Sequence, residues 1–202
     1  ENGEMKKINL KTDSTISAGV YPAWHPTHNY IAFSTNKTKQ SVHTNLNNRI
    51  EVFDTESDLI LYNTQKNSVS IIENDSAEFE CFPAWTPDGK TLYYVSAHFD
   101  YVFGPKREEY IVNNFDKIHY NLYKKAFNPE TATWGESELV YDAAAEGKSI
   151  TLPRISPDGR YLMFTMGDYG VFHIWHKDAN LYLMDLKSSQ IRPLSEINSN
   201  AT

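Results

Sequence analysis

The chain repeats itself, and that repeat restricts the fold more than any other feature. Tyr21-Pro-Ala-Trp24-His-Pro-Thr-His-Asn-Tyr-Ile31-Ala-Phe33 aligns without gaps on Phe82-Pro-Ala-Trp85-Thr-Pro-Asp-Gly-Lys-Thr-Leu92-Tyr-Tyr94. Both align on Leu152-Pro-Arg-Ile155-Ser-Pro-Asp-Gly-Arg-Tyr-Leu162-Met-Phe164. The copies begin at residues 21, 82 and 152, spacings of 61 and 70. Each copy has a second half, Asp58-Leu-Ile-Leu-Tyr62, Asn121-Leu-Tyr-Lys-Lys125 and Asn180-Leu-Tyr-Leu-Met184, followed by a polar turn and another apolar strand. Periods of this size mark arrays of one supersecondary unit.

One unit reads as a four-stranded antiparallel sheet that starts with a hairpin. In Ser156-Pro157-Asp158-Gly159 the proline sets φ at the first corner, the aspartate hydrogen-bonds the local backbone, and the glycine accepts positive φ. Thr86-Pro87-Asp88-Gly89 repeats that chemistry, which makes Asp88 and Asp158 turn residues rather than an acid–base pair. The first copy carries Thr27-His28 there, which predicts a looser hairpin with a histidine at positive φ. Ile31 and Phe33, Leu92 and Tyr94, and Leu162 and Phe164 alternate as strand residues on one side, with Trp24, Trp85 and Ile155 supplying bulk on the strand before. A lone sheet cannot bury both faces, so the copies must stack, and radial stacking gives an all-β propeller. The expected divisions are residues 1–20 as the end of a preceding blade or a closing strand, and blades over 21–80, 81–150 and 151–202.

The three copies resemble the repeat of TolB-like β-propellers, which runs Pro-x-Trp-Ser-Pro-Asp-Gly, an apolar-x-aromatic strand, then Asn/Asp-Leu/Ile-Tyr. The resemblance covers nearly the whole chain and departs from the pattern at the first hairpin, at Ile155 and in long inserts. It implies a binding or scaffold module of a bacterial cell envelope, periplasmic or bound to the outer membrane, that acts through protein, peptide or glycan contacts without catalysis. The alternative it leaves is a substrate-gating propeller of a larger peptidase or hydrolase whose catalytic domain lies elsewhere. Propellers close with four to eight blades, so three blades predict part of a longer protein, or a homodimer of half-rings joined at open sheet edges.

Composition narrows the partners. Nineteen Lys and Arg against 26 Asp and Glu give a net charge of -7, which argues against nucleic acid or an anionic membrane as partner. No stretch approaches the roughly 20 apolar residues of a membrane helix. The chain opens on Glu1 without a signal core, as expected of an excised piece or a processed protein. Cys81 is the single cysteine and sits in a strand-like run, where a buried thiol is expected.

The connections between second and third strands, residues 35–57, 96–120 and 165–179, exceed the usual 4–6 residues and project from one face. They carry His43; His98 and Tyr101; and Asp168, His173 and Trp175. These six are the expected partner-binding residues, because rings supply rigid contact area and polar groups supply orientation. Tyr169, Phe172 and Trp175 also suit simple packing of a long hairpin. The pairs His25/His28 and His173/His176 have zinc-like gaps, but three residues along a strand turn side chains to opposite faces, so no metal is expected. No cofactor is expected. Glu146-Gly147-Lys148-Ser149 lacks the first glycine of a phosphate loop, and no Gly-x-Ser-x-Gly elbow occurs.

Overall fold

The computed structural model describes residues 3–5, 18–36, 42–44, 50–52, 57–75, 77–99 and 107–198. Three four-stranded antiparallel sheets fill it. The first contains β1 (Ala18–Trp24), β2 (Tyr30–Asn36), β5 (Leu59–Asn63) and β6 (Ser68–Glu73), with a small hairpin, β3 (Val42–Thr44) and β4 (Ile50–Val52), between β2 and β5. The second contains β7 (Glu78–Trp85), β8 (Thr91–His98), β9 (Asn121–Asn128) and β10 (Thr133–Tyr141), with helix α1 (Arg107–Asn113) between β8 and β9. The third contains β11 (Ser149–Ile155), β12 (Tyr161–Gly167), β13 (Asn180–Asp185) and β14 (Ile191–Pro193), and a four-residue helix α2 (Ser195–Asn198) follows it. Strands pair in sequence order within each sheet, and β7 packs between β1 and β11.

The repeat extends into backbone conformations that side-chain patterning did not announce. Tyr21, Phe82 and Leu152 have φ of 53°, 54° and 53°. Each sits where the pairing of the first strand slips, between Val20 and Ala23, Cys81 and Ala84, and Thr151 and Arg154. The proline that follows each one has no N–H to lose from the ladder, so Xaa-Pro fits the bulge. The turns between third and fourth strands repeat as well. Asn63, Asn128 and Asp185 each accept two backbone N–H bonds through Oδ1, and Asn67, Ala132 and Ser189 take φ of 52°, 55° and 58°.

The Ser/Thr-Pro-Asp-Gly hairpins form as the turn chemistry requires. Asp88 Oδ1 accepts from the Thr86 hydroxyl at 2.7 Å and the Lys90 N–H at 3.0 Å, and Asp158 does the same with Ser156 and Arg160 at 2.5 and 3.1 Å. The Thr86 and Ser156 hydroxyls hold these two carboxyls below the usual range. Both are therefore structural groups. The first hairpin differs from expectation: His28 does not take positive φ, and the turn closes with the same bond, His25 N–H to Tyr30 O at 2.9 Å, as its sisters. His25 Nδ1 accepts from the His28 N–H at 3.0 Å, whereas the matching Gly89 and Gly159 N–H groups bond the Thr86 and Ser156 carbonyls.

Two cores form at the seams between sheets. Tyr30, Leu59, Leu61, Trp85, Leu92 and Phe127 bury between the first and second. Phe79, Phe82, Val95, Leu122, Leu162 and Phe164 bury between the second and third, joined by Ile111, Phe115 and Ile118 of the long connection. The direction of stacking explains a contrast at the repeated tryptophan. Trp85 is 8% exposed because it lies on the sheet before it, with its indole N–H donating to Ala23 O at 3.2 Å and its ring 4.7 Å from His25. Trp24 holds the same place in the first sheet and is 67% exposed. Among the described residues no sheet covers Trp24 as the first sheet covers Trp85.

Candidate functional site

Of the six residues expected on the loop face, four have described side chains, and each of the four makes its own separate contacts. His43 lies in β3 opposite Glu51, and its side chain, like all of Tyr101, lies outside the described residues. His98 ends β8 with Nδ1 3.0 Å from Glu78 Oε1. Asp168 Oδ1 accepts from Lys148 Nζ at 2.6 Å, an exposed ion pair. His173 is 4% exposed, with Nε2 3.1 Å from the Tyr169 and Gly170 carbonyls, while Trp175 is 57% exposed. Tyr169 and Phe172 pack against the second core, and Trp175 does not. His173→Ala should therefore cost about 1–3 kcal/mol in unfolding free energy, as loss of a buried hydrogen-bonded group does. Trp175→Ala should stay within about 0.5 kcal/mol, as for an exposed side chain. Urea unfolding of the two variants separates them, and equal losses would contradict this assignment of burial.

The histidine pairs do not lie on strands. His173–Trp175 is a 3-10 turn, so the His173 and His176 rings come to 5.2 Å instead of facing opposite ways. His25 and His28 share a turn, also 5.2 Å apart. His25 cannot ligate a metal as placed. Its Nδ1 is occupied by backbone N–H groups, which leaves the proton on Nε2 to donate to Gly89 O at 2.9 Å. Burial holds its pKa below the ordinary imidazole value. Among the described residues no three His, Cys, Asp or Glu side chains come together as metal ligands.

The concave site that breaks the repeat's own rules lies elsewhere, at the seam between the first and second sheets. A cavity of about 370 Å3 is bounded by Glu73 and Asp75 from the end of the first sheet and by Glu78, Glu80, Tyr94 and Lys125 from the second. Superposing the three pairing registers gives each of these positions its counterparts. Glu80, opposite Ser96, matches Gly19 and Ile150. Lys125, opposite Leu92, matches Tyr62 and Met184. Tyr94 matches Phe33 and Phe164, and Ser137 matches Val69 and Ile191. Thus one face of one sheet exchanges four apolar or small residues for polar ones.

Three of those four satisfy one another. Tyr94 donates to Ser137 Oγ at 2.9 Å, and Ser137 donates to Glu73 Oε2 at 2.6 Å. Lys125 Nζ donates to the same oxygen at 2.7 Å and to Ile72 O at 3.1 Å. The Lys125 and Ser137 bonds hold Glu73 below the usual carboxyl value in spite of its burial. Glu80 is the exception. It is 0% exposed, and among the described residues neither carboxyl oxygen has a hydrogen-bond partner of good geometry. Burial first, then the neighbouring Asp58 and Glu73, push its pKa up to about 9, with the Asp75 N–H opposing the shift. At neutral pH Glu80 is a carboxylic acid at the floor of a polar pocket. Sequence reasoning missed it because it searched long loops, yet the signal was present: two residues before each aligned copy, Glu80 stands where Gly19 and Ile150 stand.

Four-stranded sheets stacked with their first strands together define the chain as blades of a β-propeller. One solved structure with a TM-score above 0.5 supports that fold. A chain of a nidogen/laminin complex superposes with a TM-score of 0.51 at 9% identity, over 88% of this chain and 48% of the other. An apocarotenoid oxygenase of Synechocystis gives 0.48 at 16% identity, over 88% and 38%, and a prolyl endopeptidase gives 0.44 at 12%, over 88% and 21%. This chain thus spans about half or less of the proteins it superposes on. No protein-family model matches the sequence, and no curated protein matches it.

Proposed function

We propose that these blades form a non-catalytic binding module that takes a polar ligand or partner group into the pocket between the first and second blades. The observation that carries this reading is Glu80. A buried carboxyl without a partner destabilises the blade, and the third blade shows that the fold accepts Ile150 at that place. A sequence that breaks its own repeat rule at a net cost in stability marks a site of function rather than of architecture. The other polar groups of the pocket are engaged with one another, which suits holding a shape more than supplying a reactive group. Propellers serve widely as binding scaffolds, and the nidogen chain comes from a structure of a complex with laminin. The likeness of the repeats to TolB-like propellers supports a place in a bacterial cell envelope and a protein or peptide partner.

A thermal-shift screen of neutral sugars, amino acids and amines tests the reading. Some ligands should raise the midpoint of the natural protein and leave a Glu80→Ile variant unmoved. Equal shifts in both proteins would move the site away from this pocket, and turnover of any compound would overturn the non-catalytic reading.

A further inference from the structure

This inference rests on the pocket being a binding site and goes on to name what it binds. We propose that the pocket receives an organic cation, an alkylammonium or guanidinium group on a short apolar stem, with Glu80 as its counter-ion. Charge is the first reason. Among the described residues Glu73, Asp75, Glu78, Glu80 and Glu136 bound the cavity against one cation, Lys125, which is already paired with Glu73. Glu78 is engaged by Ser96 at 2.6 Å and His98 at 3.0 Å, and Asp75 Oδ1 accepts the Ala77 N–H at 2.9 Å. Of the two carboxyls that remain, Glu136 is exposed, whereas Glu80 is buried against the pocket with no well-placed donor among the described residues.

The walls distinguish an organic cation from a metal ion. Tyr94 and Tyr123 line the pocket with rings stacked 5.7 Å apart at 21°, and ring faces attract cations that carry apolar stems. A divalent cation would need several oxygens converging on one point, and no such cluster occurs among the described residues. The volume suits a side chain or small molecule.

A bound N–H donor would satisfy both orphaned oxygens of Glu80 and favour its ionised form. The proton leaves the Glu80 carboxyl for solvent as the cation arrives, and no covalent bond changes. The charged and titratable groups facing Glu80 are Asp58 at the start of β5, Glu73 at the end of β6, Asp75 between the sheets, and Glu78 on β7. Tyr94, Tyr123, Lys125 and Glu136 face it from the rest of its own sheet. Binding of a cation requires Glu80 to give up its proton, and that loss becomes easier as pH rises, so affinity should increase from pH 6 to pH 8.

Isothermal titration calorimetry on this chain, in two buffers of different ionisation enthalpy at pH 7, tests the assignment. The probes are butylammonium and Nα-acetyl-arginine amide, with Nα-acetyl-glutamine amide and calcium chloride as neutral and inorganic controls. Both cations should bind with release of about one proton, and the isosteric Glu80→Gln variant should bind at least tenfold more weakly with no proton released. Tighter binding of the arginine amide than of butylammonium identifies a basic side chain of a peptide as the source, and the reverse identifies a free amine. Equal cation binding by Glu80→Gln, or binding without proton release, overturns the proposal. Glu80-dependent binding of the glutamine amide alone overturns the cation and leaves the pocket as a binding site, whereas no binding by any probe, together with a silent thermal screen, removes both.

Discussion

Replacing Glu80 by isoleucine, the residue of the third blade at the same register, should make the protein more stable at neutral pH. The folded protein keeps the Glu80 proton up to about pH 9, whereas the unfolded chain loses it near 4.5. Between those values the native state binds the extra proton, so native stability falls as pH rises through the window. At 1.36 kcal/mol per pH unit the natural protein should lose about 3 kcal/mol between pH 4.5 and 7 from this group alone. Glu80→Ile removes that titration and adds buried apolar surface, so its unfolding free energy at pH 7 should exceed that of the natural chain by about 2–3 kcal/mol. Urea unfolding at pH 5, 7 and 8.5 reads both effects. The two proteins should converge toward the acid end and separate toward the alkaline end; parallel curves would show that Glu80 ionises normally.

Gly89→Ala should produce a loss of similar size with the opposite sign. Gly89 has φ of +69°, and a Cβ built there would lie 2.2 Å from His25 Cε1 and 2.5 Å from Nε2. The imidazole cannot swing aside cheaply, because Nδ1 is held by the His28 N–H, Nε2 by the Gly89 carbonyl, and the ring by Trp85. Left-handed strain of about 1 kcal/mol and overpacking of 1–3 kcal/mol predict a total near 3 kcal/mol. Gly159→Ala supplies the control. Its φ is +71°, but the nearest atom to a Cβ is Pro87 Cδ at an ordinary 3.5 Å, so only the strain of about 1 kcal/mol should appear. Chemical denaturation of the two variants measures the difference, and equal losses would mean that His25 does not clamp the first blade to the second.

The same clamp adds a pH dependence of its own. Burial holds His25 below its ordinary value, so as pH falls through about 6.5 the unfolded chain protonates first and stability declines. Acid would also place a proton on Nδ1, against the N–H groups that donate to it. Glu80 and His25 therefore act in opposite directions across neutral pH. A His25→Gln variant should lose the acid-side decline while keeping the alkaline one.

What lay open in the sequence was whatever depends on residue type and local spacing. Pro-Asp-Gly turns, alternating apolar strands and a repeated Pro-Ala-Trp are local instructions, and they determined four-stranded sheets that stack, three times over. They could even have pointed to Glu80 and Lys125, had the aligned copies been compared for polarity as well as for likeness. Only the tertiary structure decided what the instructions met. It buried Trp85 and left Trp24 in solvent, because burial at that place depends on a neighbouring sheet and not on the tryptophan. It put His173 inside and Trp175 outside within one 3-10 turn. Above all, among the described residues it left Glu80 without a well-placed donor: sequence states which groups a chain carries, but whether a carboxyl finds a partner depends on distances across a seam between two sheets.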